Sequence, residues 1–195
     1  MTGTRAGLVL AGGFSTRFGE GDKAVADYDG EPMVRRVVRR VGEVTDGVVV
    51  NCRAEQVPAL RAALSGYPRV ALAVDPVPDR GPMAGIWAGL RAVRAPYTAV
   101  VACDMPLVDS DLLDLLFERA AGADGALVRT DDGWFQTTQA VYRTDAMRAA
   151  CERVLGGEDA RILAALDGLD IEEIAEDAVP DMATFTDVNE AGDLR

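Results

Sequence analysis

The chain has 195 residues, enough for a folded domain with a substantial core, and its 49% hydrophobic and 27% charged residues are typical of a globular protein. It contains no histidine, which excludes Ser-His-Asp and Cys-His nucleophiles and histidine-based metal sites, so any catalysis must use carboxylates, Lys, Arg, backbone amides or a hard metal ion. The net charge of −12 argues against nucleic acid or an anionic membrane surface as partners, because both attract basic proteins.

Apolar stretches of strand length alternate with segments of helical periodicity, which predicts β-α units. In the first part of the chain, the predicted strands are 6–11, 47–52, 69–74 and 97–103. The predicted helices run from Pro32 to about Gly42, over 55–64, from Gly81 to about Val93, and from Asp109 or Ser110 to Phe117. This pattern predicts a Rossmann-like α/β fold with a doubly wound, mainly parallel sheet.

The second part of the chain is less regular. Two strands, 124–129 and 135–142, are predicted on either side of a hairpin-like turn at residues 131–133. Helices over 145–155 and 159–166, a short strand near 171–174 and a terminal helix after Asn189 complete the prediction. There is no internal repeat or linker, so we expect a single domain over residues 1–195.

Three cysteines, Cys52, Cys103 and Cys151, lie far apart and form no C-x-x-C pair. This spacing favours buried thiols in a reducing compartment over a disulfide framework or a zinc site. The first residues contain no apolar segment of signal-peptide length, and no stretch approaches the ~18 apolar residues of a membrane span. We therefore expect a cytoplasmic location.

A glycine-rich segment follows the first predicted strand and contains the only lysine of the chain. Residues 10–23 read L-A-G-G-F-S-T-R-F-G-E-G-D-K, with Arg17 and Lys23 as cations. Glycines let backbone amides approach a ligand closely, and Arg and Lys neutralise phosphate charge. The segment matches neither the Walker P-loop nor the G-x-G-x-x-G pattern. It predicts a phosphate-binding loop of another geometry; the alternative is a loop whose basic residues are incidental.

A carboxylate ends the fourth predicted strand, where residues 100–106 read V-V-A-C-D-M-P. If the strands follow the order 3-2-1-4, Asp104 lies beside the loop that ends at Lys23, at the edge where open α/β sheets bind ligands. Mg²⁺ is commonly held by one or two carboxylates together with substrate phosphates. The sequence therefore predicts a Mg-nucleotide site with Asp104 as a metal ligand; the alternative is a carboxylate that only shapes a turn.

Short motifs follow one another along almost the whole chain. They read L-A-G-G-x-S-x-R-F-G-x-x-D-K at 10–23, G-E-P-M-V at 30–34, V-V-V-N at 48–51, G-P-M-A-G-I at 81–86, C-D-M-P at 103–106 and D-V-N-E-A-G-D-L at 187–194. In this order the motifs resemble those of the molybdenum cofactor guanylyltransferase family. The resemblance implies a nucleotidyltransferase that joins GMP from GTP to the phosphate of molybdenum-carrying molybdopterin and releases pyrophosphate.

The resemblance also implies roles for individual residues. GTP and a phosphorylated pterin would be the partners and Mg²⁺ the cofactor; no partner protein is identified. The implied nucleotide-binding residues are Leu10, Ala11, Gly12, Gly13, Lys23, Asn51, Asp75 and Asp104. The implied catalytic residues are Arg17, Lys23 and Asp104, and the implied metal-binding residues are Asp104 and Asn189. Gly12 favours guanine, because cytidylyl relatives tend to read L-A-A-G where this chain has L-A-G-G.

The chain departs from the family pattern in the acceptor-side strand. Relatives often have His-Pro there, whereas this sequence has Gln136-Thr137-Thr138. Residues 156–161, G-G-E-D-A-R, are similar to an acceptor-side loop. Other phosphate acceptors therefore stay open, such as a cobinamide phosphate, a sugar phosphate or an isoprenoid phosphate. A nucleotide-binding regulatory module without turnover is the non-enzymatic alternative, and the presence of both Lys23 and Asp104 argues against it.

Overall fold

Strands and helices alternate through the part of the chain that the computed structural model describes, which is residues 4–13, 22–76, 81–156 and 161–193. The strands are β1 (Arg5–Leu10), β2 (Asp27–Tyr28), β3 (Glu31–Pro32), β4 (Gly47–Cys52), β5 (Val70–Val74), β6 (Tyr97–Ala102), β7 (Gly125–Arg129), β8 (Gln139–Arg143) and β9 (Ile171–Ala175). The α-helices are α1 (Met33–Gly42), α2 (Val57–Ala63), α3 (Gly81–Ala92), α4 (Ser110–Arg119), α5 (Thr144–Leu155) and α6 (Ile162–Leu166). Short 3₁₀ helices lie at Lys23–Val25, Ala54–Gln56, Glu176–Ala178, Met182–Phe185 and Ala191–Asp193.

Seven of the described strands form one sheet in the order β5-β4-β1-β6-β8-β7-β9. The first four are mutually parallel and follow the 3-2-1-4 order on which the placement of Asp104 beside Lys23 depends. Strand β8 runs antiparallel to β6 and β7, and β7 pairs in parallel with β9. The carboxyl ends therefore share one edge of the sheet for strands β1, β4, β5, β6 and β7. Ligand-binding residues of open α/β sheets usually lie at this edge.

Helices cover both faces of the sheet, which explains why the strands are apolar without alternation. Adjacent residues of β1 show this, because Val9 packs in the core cluster with α1, α2 and α4, whereas Leu8 packs in the cluster with α3, α5 and α6. Both side chains are fully buried. The mainly parallel, doubly wound α/β fold predicted from the sequence is thus confirmed.

Two sequence predictions for the less regular segments were wrong in detail. Strand β8 begins at Gln139 rather than 135, because Phe135 makes only an isolated bridge with Arg129. The helix predicted over 159–166 is present as α6, which ends at Leu166 as predicted, and residues 159 and 160 lie outside the described part. The predicted terminal helix is a short 3₁₀ turn, in which the Asp193 carboxylate accepts hydrogen bonds from the backbone N–H of Asn189 and Glu190.

The structure adds a small hairpin, β2–β3, that the sequence analysis missed. Its two turn residues, Asp29 and Gly30, have φ of 57° and 80°. Asp-Gly is a common pair for a two-residue hairpin turn with two positive φ values. Within the described residues, no helix combines the length and the apolar character that a membrane crossing requires.

Candidate functional site

A cavity of about 460 Å³ opens at the edge where β1, β4 and β6 end. Its described lining residues are Leu10, Ala11, Gly12, Gly13, Lys23, Ala24, Asn51, Gly81, Pro82, Ala102, Cys103, Asp104 and Thr138. Backbone hydrogen bonds join the strand ends here, since the Cys103 N–H donates to the Leu10 carbonyl at 3.0 Å and the Ala11 N–H donates to the Asn51 carbonyl at 2.9 Å. The volume is in the range of small-molecule sites, which usually lie at such switch points of α/β sheets.

Lys23 forms the cationic part of this cavity. Its Nζ donates to Asp104 Oδ2 at 3.0 Å and to Asn189 Oδ1 at 3.3 Å. The lysine side chain is 13% exposed and the aspartate side chain is 30% exposed. The 3₁₀ turn that carries Lys23 begins at Asp22, whose carboxylate accepts a hydrogen bond from the Ala24 N–H at 3.1 Å. A cation and a carboxylate are thus held together at the mouth of an otherwise largely apolar cavity.

The C-terminal segment is attached to the same place. The Val188 N–H donates to the Asp104 carbonyl at 2.9 Å, and Val188 is buried. This contact brings Asn189 to Lys23. Partial burial, together with the negative charge of Asp104, raises the pKa of the Asp187 carboxyl, and the nearby charge of Lys23 opposes this shift. The segment therefore adds an amide oxygen and a second carboxylate to the surroundings of Asp104.

A second polar cluster lies beneath Gly12. The buried Asn51 side chain donates through Nδ2 to Asp75 Oδ1 at 2.6 Å and to the Ala73 carbonyl at 3.3 Å. Burial raises the pKa of Asp75, and the hydrogen bond from Asn51 and the charge of Arg53 oppose that shift. A Cβ on Gly12 would lie 2.8 Å from Asp75 Oδ2, which leaves no room for a side chain. The backbone of Gly12 can therefore approach this amide–carboxylate pair closely.

The structure brings most of the sequence-predicted site residues together. Those that line the cavity are Leu10, Ala11, Gly12, Gly13, Lys23, Asn51 and Asp104. Asp75 is connected to the cavity by the hydrogen bond that it accepts from Asn51, and Asn189 is connected to it by the hydrogen bond that it accepts from Lys23. Arg17 lies outside the described residues.

The sequence analysis missed part of the cavity wall. Ala24 lines it and has no sequence signal of its own, and Thr138, which the sequence analysis names only as part of the acceptor-side strand, lines it as well. The Thr138 carbonyl accepts a hydrogen bond from the Ala102 N–H at 2.9 Å. Gly81 and Pro82 belong to the G-P-M-A-G-I motif, where the sequence predicts only the start of a helix. Residues 157–160 of the expected acceptor-side loop lie outside the described part.

The oxygen donors at the mouth of the cavity fit a hard divalent cation. Asp104 Oδ2 and Asn189 Oδ1 already converge on one positively charged atom, the Lys23 Nζ. Within the described residues, no group of three or more acidic or cysteine side chains could hold an ion by itself. Phosphate oxygens and water would have to complete the coordination, which is the usual mode for Mg²⁺ at nucleotides.

Residues 7–171 match a family model described as the MobA-like NTP transferase domain. A curated relative from Natronomonas pharaonis, named a probable molybdenum cofactor guanylyltransferase, is 48% identical over 98% of this chain and 96% of its own. A relative with the same name from Haloferax mediterranei is 36% identical over 98% of this chain and 91% of its own.

A solved structure has the same fold. Molybdopterin-guanine dinucleotide biosynthesis protein A from Archaeoglobus fulgidus superposes with a TM-score of 0.77 at 24% identity. The superposition covers 96% of this chain and 94% of the other. The overall fold of this chain is therefore shared with that protein.

Proposed function

This chain belongs to the MobA-like NTP transferase family, and we propose that it transfers GMP from GTP to the phosphate of molybdenum-carrying molybdopterin, with release of pyrophosphate. The curated relatives that match almost the whole chain carry the name molybdenum cofactor guanylyltransferase. We further propose that residues 1–195 act as one nucleotidyltransferase domain in the cytoplasm. The three buried free thiols agree with a reducing compartment.

The observation that carries this proposal is the pairing of Lys23 and Asp104 at the mouth of the cavity. In a chain of net charge −12, the sole lysine lies where β1 and β6 end, 3.0 Å from a carboxylate oxygen. An ammonium group suits the phosphates of a nucleotide, and the carboxylate suits the cation that accompanies them. A positive group for the phosphates and a negative group for their accompanying cation therefore lie side by side.

The reaction needs no general base, which agrees with the absence of histidine. A phosphate monoester has its second pKa near ~6, so at neutral pH the acceptor is already an anionic nucleophile. Catalysis then consists of positioning and of stabilising the negative charge on the α-phosphate and the departing pyrophosphate. Lys23 would supply positive charge at the phosphates, and Arg17 is proposed to assist.

Mg²⁺ is the proposed metal, with Asp104 and Asn189 as its protein ligands. When bound, the ion would neutralise phosphate charge and polarise the phosphoryl group. Asp104 is suited to this because its carboxylate lies at the end of a buried strand and stays 30% exposed toward the cavity. Asn189 is suited because its oxygen already faces the same ammonium nitrogen.

The nucleoside would lie along Leu10, Ala11, Gly12 and Gly13. Asn51 and Asp75 present polar groups beside Gly12, and the Asp75 carboxylate can accept from the N–H groups of guanine. The acceptor would approach from the Thr138 side. Because this segment lacks His-Pro, another phosphate acceptor such as cobinamide phosphate is the second candidate for the same chemistry.

The direct test is pyrophosphate release from Mg-GTP in the presence of each acceptor. We expect release with molybdenum-loaded molybdopterin, and a product that contains both GMP and the pterin by mass spectrometry. Release with cobinamide phosphate, a sugar phosphate or an isoprenoid phosphate instead would move the assignment to that acceptor. GTP binding with no release for any acceptor would support a non-catalytic nucleotide-binding module.

A further inference from the structure

We infer that Gln56 is a positioning residue, which fixes the Gly12–Gly13 backbone relative to Lys23 so that both can hold the triphosphate. This inference rests on the proposed function, because it assigns the site to a nucleotide with several phosphates. Gln56 stands in the 3₁₀ turn after β4, outside every motif of the family resemblance, and does not belong to the described lining of the cavity.

The hydrogen bonds of the Gln56 carboxamide connect three parts of the chain. Its Nε2 donates to the Ala11 carbonyl at 2.9 Å and to the Asp22 carboxylate oxygens at 2.9 and 3.0 Å. Its Oε1 accepts from the Arg53 N–H at 2.8 Å. The orientation of the amide is unambiguous, because the Ala11 carbonyl only accepts and the Arg53 N–H only donates. Gln56 therefore bridges the end of β1 and the start of the turn that carries Lys23.

The burial of Gln56 makes the loss of these hydrogen bonds costly. Gln56 is only 3% exposed, so water cannot replace the hydrogen bonds that it makes to Ala11 and Asp22. Asp22 in turn accepts from the Ala24 N–H, which sets the direction of the Lys23 turn. Without Gln56, a carbonyl and a carboxylate would lose a donor in a site with little solvent, and the two chain segments could separate.

Arg53 acts on the same backbone from the same side. Its Nη1 donates to the Gly12 carbonyl at 2.8 Å and to the Gly13 carbonyl at 2.5 Å. Since no described peptide bond is cis, the peptide between Gly12 and Gly13 directs its N–H away from the guanidinium. Gln56 and Arg53 thus hold the glycine backbone from behind, and Lys23 and the glycines face the cavity.

The test measures nucleotide affinity as a function of phosphate number. We expect Gln56→Met, which keeps the shape but removes both donors, to raise the Kd for GTP about 10- to 100-fold, the scale of a lost hydrogen bond to a charged group. The Kd for GMP should rise less than about threefold, because its single phosphate depends less on the geometry between Lys23 and the glycines. Thr98→Val is the control: it removes a buried hydroxyl pair with Thr144 near the start of β6 and should change neither Kd.

Exchanging the amide and the carboxylate between Gln56 and Asp22 distinguishes a positioning role from a general loss of stability. It also provides a second variant if Gln56→Met fails to fold. Gln56→Glu places two carboxylates together and should impair GTP binding more than Gln56→Met does. Adding Asp22→Asn returns an N–H donor to the pair and should recover part of the GTP affinity. The positioning role of Gln56 would be overturned by equal losses of affinity for GTP and GMP in Gln56→Met or by an unchanged Kd for GTP. It would also be overturned if adding Asp22→Asn to Gln56→Glu recovered no GTP affinity. If the wild-type protein binds no GTP, the proposed function itself fails, and this inference fails with it.

Discussion

Lys23 and Asp104 form an ion pair across the ends of two neighbouring strands, with 3.0 Å between Nζ and Oδ2. Lys23 follows β1 and Asp104 follows β6, and these strands pair in parallel so that Leu10 lies opposite Ala102. The pair therefore depends on the strand order of the sheet. It places one positive and one negative group beside the cavity, and a substitution can remove either charge separately.

We predict that Asp104→Asn lowers turnover steeply and raises the Mg²⁺ concentration needed for half-maximal rate. Asparagine keeps an oxygen that can accept from Lys23 but removes the charge that attracts a divalent ion. Thermal stability should change by less than about 1 kcal/mol, because a partly exposed ion pair contributes little. Magnesium titrations of pyrophosphate release and thermal melts check both statements.

Asp114→Asn is the matched control for this prediction. It removes a carboxylate that forms an ion pair with Arg5 near the opposite edge of the sheet. We expect unchanged turnover and an unchanged Mg²⁺ requirement. Normal magnesium dependence in Asp104→Asn would move the metal assignment to other oxygen donors.

We predict that Lys23→Ala lowers turnover by about 10²- to 10³-fold, the usual effect of removing one preorganised charge at a developing anion. Lys23→Arg should fall between the wild type and the alanine variant, because it keeps the charge with a different shape. Rates at saturating Mg-GTP measure this effect. Near-normal turnover in Lys23→Ala would show that the cavity uses another cation.

A third prediction compares neighbouring glycines. In Gly12→Ala, the new Cβ would lie 2.8 Å from Asp75 Oδ2 and 3.1 Å from Asn51 Oδ1. These two side chains are held together by the hydrogen bond from Asn51 Nδ2 to Asp75 Oδ1. We expect a lower melting temperature, weaker GTP binding and a relative gain for CTP. Among the described residues, no atom lies within 4 Å of a Cβ placed on Gly13, so Gly13→Ala should melt like the wild type. Equal melting temperatures for both variants would contradict the proposed crowding.

The edge of the site could be predicted from the sequence because the first predicted strand is followed by glycines and the fourth by a carboxylate. Gly12 and Asp104 are these residues, and the common 3-2-1-4 order of parallel sheets, taken as a condition, places them together. The roles assigned to them stay predictions. The Asp29–Gly30 hairpin was equally readable, since Asp-Gly marks such turns, but it was overlooked.

The contacts of Gln56 could not be predicted in this way. Gln56 stands in a segment without a motif, and its carboxamide reaches Ala11 and Asp22 only after β1 and β4 are paired. The return of the C-terminal segment to Asp104 depends on the burial of Val188, a single apolar residue without periodic partners. Local patterns do not encode such long-range contacts.

A fourth prediction concerns the thiols. Burial raises the pKa of Cys52 to about 11 and that of Cys151 to about 12, and it also raises the pKa of Cys103. At pH 8, a thiol of pKa near 11 is about one part in a thousand thiolate, and access is blocked as well. The native protein should therefore resist alkylation by iodoacetamide, and the denatured protein should take up three labels. Rapid labelling of Cys103, which lines the cavity, would indicate a more open site.

The last prediction follows from the raised pKa of Asp75, which burial causes against the opposing effects of Asn51 and Arg53. The folded protein binds the Asp75 proton more tightly than the unfolded chain does, where the pKa is about 3.9. The protonated carboxyl therefore favours the folded state, and this contribution is present below the unfolded pKa and is lost as the pH rises through the folded pKa.

Asp75→Asn removes this titration. We expect the stability of the wild type relative to the variant to decrease between about pH 4 and the raised pKa and then to stay constant, in urea melts at a series of pH values. Asp132→Asn should show the opposite sign, because the hydrogen bond from Thr130 lowers the pKa of Asp132, and its contribution is lost as the pH falls. A stability difference for Asp75→Asn that does not vary with pH, or that increases with it, would mean that the carboxyl is solvated. In that case Asp75 would not form a desolvated pair with Asn51 beneath Gly12.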